Sequence, residues 1–177
     1  GINWPSEGRT CIKIENENEH GFGRPYVIEH NGIYKMFYSI RVKHFGYRLG
    51  YAESIDGINW NRDSKCIIPD VIDENECQAL PTVIFYENRY HMFFTYRNAI
   101  GFRTNKKNSY RIGYAYSDDM KNWVRDYEHV GIKLSDSGWD SEMMCYPFVF
   151  HCDHNIYMLY NGNEFGKYGF GIAKLEK

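Results

Sequence analysis

The sequence predicts an all-β fold: a β-propeller built of four-stranded antiparallel blades, about three of them present. Three observations predict it. A unit of roughly 50 residues recurs along the chain, the spacing of a propeller blade. Each copy consists of short aromatic or alternating runs separated by turn residues, the pattern of strands and hairpins. No helical period is sustained anywhere, which argues against a helix bundle or a Rossmann sheet. Aromatic residues make up 18 % of the 177-residue chain, with sixteen Tyr, eleven Phe and four Trp. Such side chains suit broad sheet faces that pack on one another.

The repeat is visible by eye. "RPYVIEHNGIYKMFYSIR" leads to "YRLGYAESIDGINW", "LPTVIFYENRYHMFFTYR" to "YRIGYAYSDDMKNW", and "YPFVFHCDHNIYMLYNGN" to "YGFGIAKLEK". Pro25, Pro81 and Pro147 coincide, 56 and 66 residues apart, as do Gly50, Gly113 and Gly171. In each unit "HNG", "EN" or "DHN" turns the first strand back on the second as a hairpin. A third strand follows, with glycine set among bulky groups, a sign of close approach by another backbone. In "SIDGINW", Asp56-Gly57 suits a tight turn requiring positive φ, and Ser54 and Asp56 can bond the turn's own amides. "SDDMKNW" replaces that glycine with Met120, so another turn type is expected there. A fourth strand follows each Trp: "NRDSKCIIP" after Trp60 and "VRDYEHVGIKL" after Trp123. The chain is read as a single partial propeller domain, 1–177. Its blade repeats span about 20–70, 76–134 and 142–177, and 1–19 supplies an outer strand.

The opening "GINW" repeats the end of the first turn, and "PSEGRTCIKI" fits the fourth-strand slot after it. The leading fragment either closes the third unit or belongs to a larger protein whose N-terminal blades are absent. Propellers typically need roughly four to eight blades, which favours truncation. If three blades fold alone, open edges and aromatic faces invite a second copy, and a homodimer completing the ring is expected.

The formal net charge is −2, so nothing points to nucleic acid or to an anionic membrane. No apolar run approaches the ~18 residues of a membrane span. The five cysteines, Cys11, Cys66, Cys77, Cys145 and Cys152, show neither CxxC nor zinc-finger spacing. They read as reduced, mostly buried thiols of a cytoplasmic protein. His20, His44, His91, His129, His151 and His154 have no metal-ligand spacing, so no metal or other cofactor is expected.

With its repeated R-[LI]-G-Y-A-x-S-x-D-x-x-x-W, the chain resembles the five-bladed β-propeller glycosidases, the glycoside hydrolase family 43, 32, 62 and 68 group. It also resembles the propeller-fold mannoside phosphorylases. The turn differs from the sialidase S-x-D-x-G-x-x-W box, because Gly57 directly follows Asp56. The resemblance covers nearly the whole chain. It implies a carbohydrate-active protein acting on an oligosaccharide by carboxylate acid/base chemistry, as glycosidase or phosphorylase. A non-catalytic sugar-binding or oligomerising module is the alternative.

Innermost strands line a propeller's axial channel, and ligands bind at its mouth. Counting back five residues from each aligned proline gives His20, Glu76 and Glu142 in one register. Glycoside hydrolysis needs two carboxyl groups across the scissile bond. The resemblance places a general acid shortly before an inner-strand proline, the position of Glu76 in "ECQALP" and of Glu142 in "EMMCYP". A structural Arg–Glu pair is the competing role. No counterpart of the family's first-blade Asp is recognisable. Asp140 in "GWDSEMM" is a candidate to orient Glu142 or a hydroxyl, and Trp139 to stack on a sugar or pack the core. Arg24 precedes Pro25, and Arg41 and Arg97 end equivalent second strands, with Asn161 in that place in the third unit. Arginines facing a channel suit carboxylates or phosphates, or hold a Glu in place.

Overall fold

The computed structural model describes residues 2–4, 6–43, 46–63 and 65–176. His44, and Pro5 and Ser64 of the fourth-strand segments, lie outside the described residues. The chain is built of antiparallel sheets arranged as the blades of a partial β-propeller. The first holds β1 (Glu19–His30), β2 (Ile33–Val42), β3 (Gly46–Ser54) and β4 (Asn61–Asp63), in that order. The second holds β5 (Glu76–Tyr86), β6 (Arg89–Asn98), β7 (Arg111–Ser117) and β8 (Val124–Arg125). The third is three-stranded: β9 (Cys145–Cys152), β10 (Asn155–Asn161) and β11 (Phe170–Lys174), with a short helical turn, α1 (Asn163–Gly166), before β11. The innermost strands β1, β5 and β9 lie against their neighbours in sequence. Phe37, Leu49 and Tyr51 of the first sheet pack on Val83, Met92, Phe94 and Trp123 of the second. Ile112 packs in turn with Met144 and Tyr160 at the third.

The aligned prolines mark one backbone device used three times. The residue before each takes left-handed φ: Arg24 at 56°, Leu80 at 53° and Tyr146 at 60°. Each sits in a β-bulge, where pairing slips between Gly23 and Tyr26, between Ala79 and Thr82, and opposite Leu159 and Asn161. Such a conformation costs a non-glycine residue on the order of 1–2 kcal/mol. A bulge re-aims the side chain that precedes it, and bulges gather at barrel rims and beside active sites.

The aligned glycines admit an aromatic ring rather than a backbone. Gly50 pairs with Tyr38, Gly113 with Phe94 and Gly171 with Tyr160. A Cβ would meet the Tyr38 ring at 2.8 Å from Gly50, the Phe94 ring at 2.5 Å from Gly113, and the Trp139 ring at 2.3 Å from Gly171. Phe94 is fully buried, so Gly113→Ala overpacks the core. A loss of about 1–3 kcal/mol in urea unfolding is expected.

The two Ser-x-Asp turns are the same turn, contrary to the expectation set by Met120. Ser54 Oγ accepts from Gly57 N at 2.9 Å, and Ser117 Oγ from Met120 N at 2.9 Å. Asp56 Oδ1 accepts from Ile58 N and Asn59 N, and Asp119 Oδ1 from Lys121 N and Asn122 N, all within 2.7–2.8 Å. Trp60 Nε1 donates to Gly57 O and Trp123 Nε1 to Met120 O. Met120 occupies the glycine's place at φ 62° and is buried; its core packing offsets the strain. Amide hydrogen bonds from Asn59 and Ile58 hold the Asp56 carboxyl well below its ordinary value. Burial pushes the Asp119 carboxyl up, but the amides of Asn122 and Lys121 outweigh it and lower it too. Depressed carboxyls stabilise the fold above their unfolded value of 3.8 and lose that contribution as pH falls below it. The urea midpoint is therefore expected to fall between about pH 4.5 and pH 2.5, and Asp119→Asn to flatten that fall.

Three sequence expectations change. Residues 6–18 form no strand. Ile12 packs on the Met36, Tyr38 and Ile40 cluster, and Arg62 Nη1 donates to Lys13 O at 3.1 Å. The leading segment is thus held beside the first sheet, and its described residues before β1 supply no outer strand. The fourth strands β4 and β8 are short, three and two residues. Of the five cysteines only Cys77 and Cys145 are buried.

Candidate functional site

Two glutamates hold paired places in the inner-strand register, and Glu142 stands at the matching count ahead of β9. Glu19 pairs with Val42 and Gly21 with Arg41, so His20 is an extra, exposed residue in a bulge. Glu76 pairs with Asn98 at the equivalent place in the second sheet. The first-blade counterpart of Glu76 is therefore Glu19, not His20, because counting back from Pro25 does not see the inserted residue. The next blade's glutamate is clamped by its main chain. Arg48 Nη1 donates to Glu76 O, and Arg111 Nη1 to Glu142 O at 3.1 Å.

Glu19 and Glu76 are latched to their own outer strands. Arg62 of β4 pairs with Glu19, both side chains 4 % exposed. Arg125 of β8 pairs with Glu76, at 2 % and 0 % exposure. The Arg62 hydrogen bonds lower the Glu19 carboxyl from its ordinary value. Glu76 Oε2 also accepts from Val71 N at 2.9 Å and Ile72 N at 3.0 Å, and Oε1 from Gln78 Nε2 at 3.0 Å. With the Arg125 bond, these donors fill the carboxylate's acceptor positions. This arrangement is the structural Arg–Glu pair and leaves Glu76 no face for a substrate. The missed signal is the recurrent Arg two residues after each Trp, in "WNRD" and "WVRD".

Glu142 is different. Its side chain is 44 % exposed and pairs with Lys106 Nζ, itself 71 % exposed. Its position is set from below. Asn163 Oδ1 accepts from Glu142 N at 2.8 Å and Met143 N at 3.0 Å, and Arg111 holds its carbonyl.

Beside Glu142 lies a cluster of arginines and aromatic rings. Tyr110 meets Phe102 at 5.7 Å, Tyr146 at 5.9 Å and Phe165 at 5.3 Å between centroids. Tyr146 stacks on Phe165 at 6.3 Å. Arg97 sits 3.7 Å over Phe102 and 5.3 Å from Tyr110, Arg103 sits 5.1 Å over Phe102, and Arg24 sits 5.6 Å over Tyr146. Burial, with Tyr110 beside it, raises the Tyr146 hydroxyl to about 12, so it stays a hydrogen-bond donor at neutral pH. The cluster brings together Arg24, Arg97 and Glu142 of the residues foreseen in the sequence and adds Arg103, Lys106, Tyr110, Tyr146 and Phe165.

The remaining candidates fall elsewhere. Asp140 is buried and accepts from Tyr160 OH at 3.0 Å; no bond joins it to Glu142 among the described residues. Trp139 stacks on Tyr160 at 5.3 Å and covers Gly162 and Gly171, the core-packing role. Arg41 is exposed at the end of β2. Asn161 donates to Phe165 O at 3.0 Å. By register its equivalents are Ser39 and Thr95, since Cys145, Gly23 and Ala79 pair across from them. The place matching Arg97 is Asn163, two residues farther on. A cleft of about 580 Å³ opens between the second and third sheets and another of about 590 Å³ between the second sheet and residues 127–134, and none of the predicted site residues lines them.

The strand order and the bulged inner strands define a partial β-propeller. Solved structures share it. A family 117 glycoside hydrolase of the marine bacterium Zobellia galactanivorans matches with a TM-score of 0.68 at 18 % identity, covering 85 % of this chain and 52 % of that one. The Phanerochaete chrysosporium exo-β-1,3-galactanase matches with a TM-score of 0.63 at 17 % identity, over 86 % and 34 %. Among curated proteins, an uncharacterized protein of Mycobacterium tuberculosis is 30 % identical over 171 residues, 93 % of this chain and 54 % of its own length. The chain thus spans about half the length of such relatives. A β-1,2-mannobiose phosphorylase of Thermoanaerobacter sp. is 34 % identical over 76 residues, 42 % of this chain and 24 % of the enzyme. No protein-family profile matches the chain.

Proposed function

We propose that the chain is a carbohydrate-active propeller whose sugar site is the arginine–aromatic cluster, and that it breaks glycosidic bonds with Glu142 as proton donor. The observation that carries this reading is the contrast within one register: Glu19 and Glu76 are sealed in ion pairs, while Glu142 is open to solvent beside flat rings. Tyr110, Tyr146 and Phe165 offer faces for a pyranose, and aromatic rings of this kind supply apolar area with little loss of side-chain freedom. The glycoside hydrolases among the solved structures and the mannobiose phosphorylase support the substrate class.

In the proposed step the Glu142 carboxyl gives its proton to the glycosidic oxygen as the bond from that oxygen to the anomeric carbon breaks. In hydrolysis a water oxygen bonds to that carbon and its proton passes to a second carboxylate. In phosphorolysis a phosphate oxygen bonds instead and no second carboxylate is required. Arg24, Arg97 and Arg103 favour keeping this second reading, because arginine forks suit phosphate oxygens. A panel of aryl glycosides, assayed with and without phosphate, tests the proposal alongside calorimetric titration of oligosaccharides. Turnover is the expected result, and its phosphate dependence separates the two reactions. Sugar binding without turnover assigns a binding module, and neither binding nor turnover ends the proposal.

A further inference from the structure

Resting on that sugar-site reading, we infer that the site takes an anionic saccharide, one carrying a carboxylate or a phosphate ester. Four cations surround the cluster, Arg24, Arg97, Arg103 and Lys106, in a chain whose net charge is −2. Only Lys106 has a carboxylate partner, Glu142; no carboxylate lies within ion-pairing distance of the three arginines among the described residues. Arg97 decides the matter. It is nine-tenths buried, its Nη1 donates to the neutral carbonyl of Asn98 at 2.8 Å, and its guanidinium lies over Phe102 with Tyr110 beside it. A buried charge is ordinarily paired, because desolvating it alone is costly. The two buried arginines of the outer strands obey that rule, Arg62 with Glu19 and Arg125 with Glu76. Arg97 does not, and the anion it lacks fits a ligand.

The placement also separates affinity from selectivity. Arg24 and Arg97 project from the inner and second strands common to the blades. Arg103 and Lys106 come from residues 99–110, which join β6 to β7; the matching connection between β2 and β3 is only residues 43–45. The longer connection is braced by Asn105, whose side chain accepts from Lys107 N, by Asn108 Nδ2 donating to Ile100 O at 2.9 Å, and by Arg111 Nη2 donating to Lys106 O at 2.9 Å. The loop thus holds Lys106 on Glu142 and Arg103 over the Phe102 and Phe165 rings, where the proposal has them meet charge on the sugar. A charge-assisted hydrogen bond is worth about twice a neutral one.

The test is calorimetry at low and raised salt on the chain as it stands, with three probes: a neutral oligosaccharide, the matching uronic-acid oligosaccharide, and a sugar phosphate. Inorganic phosphate is titrated alone and then together with the neutral sugar. At least one anionic sugar is expected to bind about tenfold or more tightly than its neutral counterpart. The preference should shrink as salt is raised, and in the Arg103→Gln, Lys106→Gln double variant. Both changes lie on an exposed loop, and circular dichroism confirms folding. Equal affinity for neutral and anionic sugars overturns the inference and leaves the sugar site standing. Tight inorganic phosphate binding that makes the neutral sugar bind as well as the anionic ones also overturns it, since the arginines then serve the attacking phosphate. No affinity for any saccharide overturns the site and the inference together.

Discussion

Glu76→Gln is expected to destabilise the folded chain by about 3–5 kcal/mol, the cost of breaking a buried ion pair from one side. The exchange is nearly isosteric, so the loss is electrostatic. Glu76 is fully buried, and four donors converge on its carboxylate: Arg125, Gln78 and the amides of Val71 and Ile72. An amide puts an N–H₂ where one oxygen stood and turns it against a donor. Arg125 is then left buried with no negative partner, and its Nε and Nη2 already lack hydrogen-bond acceptors, facing the rings of Phe94 and Tyr96 instead. Since Arg48 also holds the Glu76 carbonyl from the first sheet, the damage reaches the packing of one blade on the next. Urea unfolding measures it. Replacing both partners by apolar groups, Glu76→Leu with Arg125→Met, should recover most of the loss, because no charge is then stranded. A single-variant loss under about 1 kcal/mol would show that the pair is wet and the latch illusory.

Glu142→Gln should do the reverse. The Lys106–Glu142 pair is exposed, and such pairs contribute about 0–1 kcal/mol, so unfolding should hardly change. The neighbouring anchors, Asn163 on the main chain and Arg111 on the carbonyl, do not involve the carboxylate. Turnover of a glycoside with a poor leaving group should fall by about 10²–10⁴, the contribution of a positioned proton donor. KM should stay nearly unchanged. A glycoside whose leaving group needs no proton should be affected much less, a pattern that a merely structural Glu142 does not produce.

The repeat was legible because the fold imposes the same backbone solution at each blade. Three prolines follow three left-handed residues, and three glycines face rings; both are steric demands that few residue types meet. The start of the register was not legible. His20 is inserted by a bulge, and the side chain of an extra residue does not announce itself, so Glu19 was hidden one step away. Asn163 was in plain count, sixteen residues after Pro147 as Arg41 and Arg97 are after Pro25 and Pro81; aligning on the ends of the aromatic runs set Asn161 in its place. The partners of the glutamates were written in the sequence as the Arg of "WNRD" and "WVRD", but sequence separations of 43 and 49 residues carry no local signal. The rings of the site came from a loop, a turn and an inner strand, and only their convergence in space makes Tyr110, Tyr146 and Phe165 a surface. Met120 misled for a simpler reason: burial of its side chain outweighed the glycine preference of its φ.

The most direct measurement is amide and side-chain NMR of the labelled chain titrated with the best-binding oligosaccharide. The largest shifts are predicted at Tyr110, Tyr146, Phe165, Arg97 and Glu142, with the sheets otherwise undisturbed. Shifts confined to the cleft lined by His91, Tyr114 and Tyr157 between the second and third sheets would place the ligand elsewhere and contradict the assignment of Glu142 as the working carboxyl.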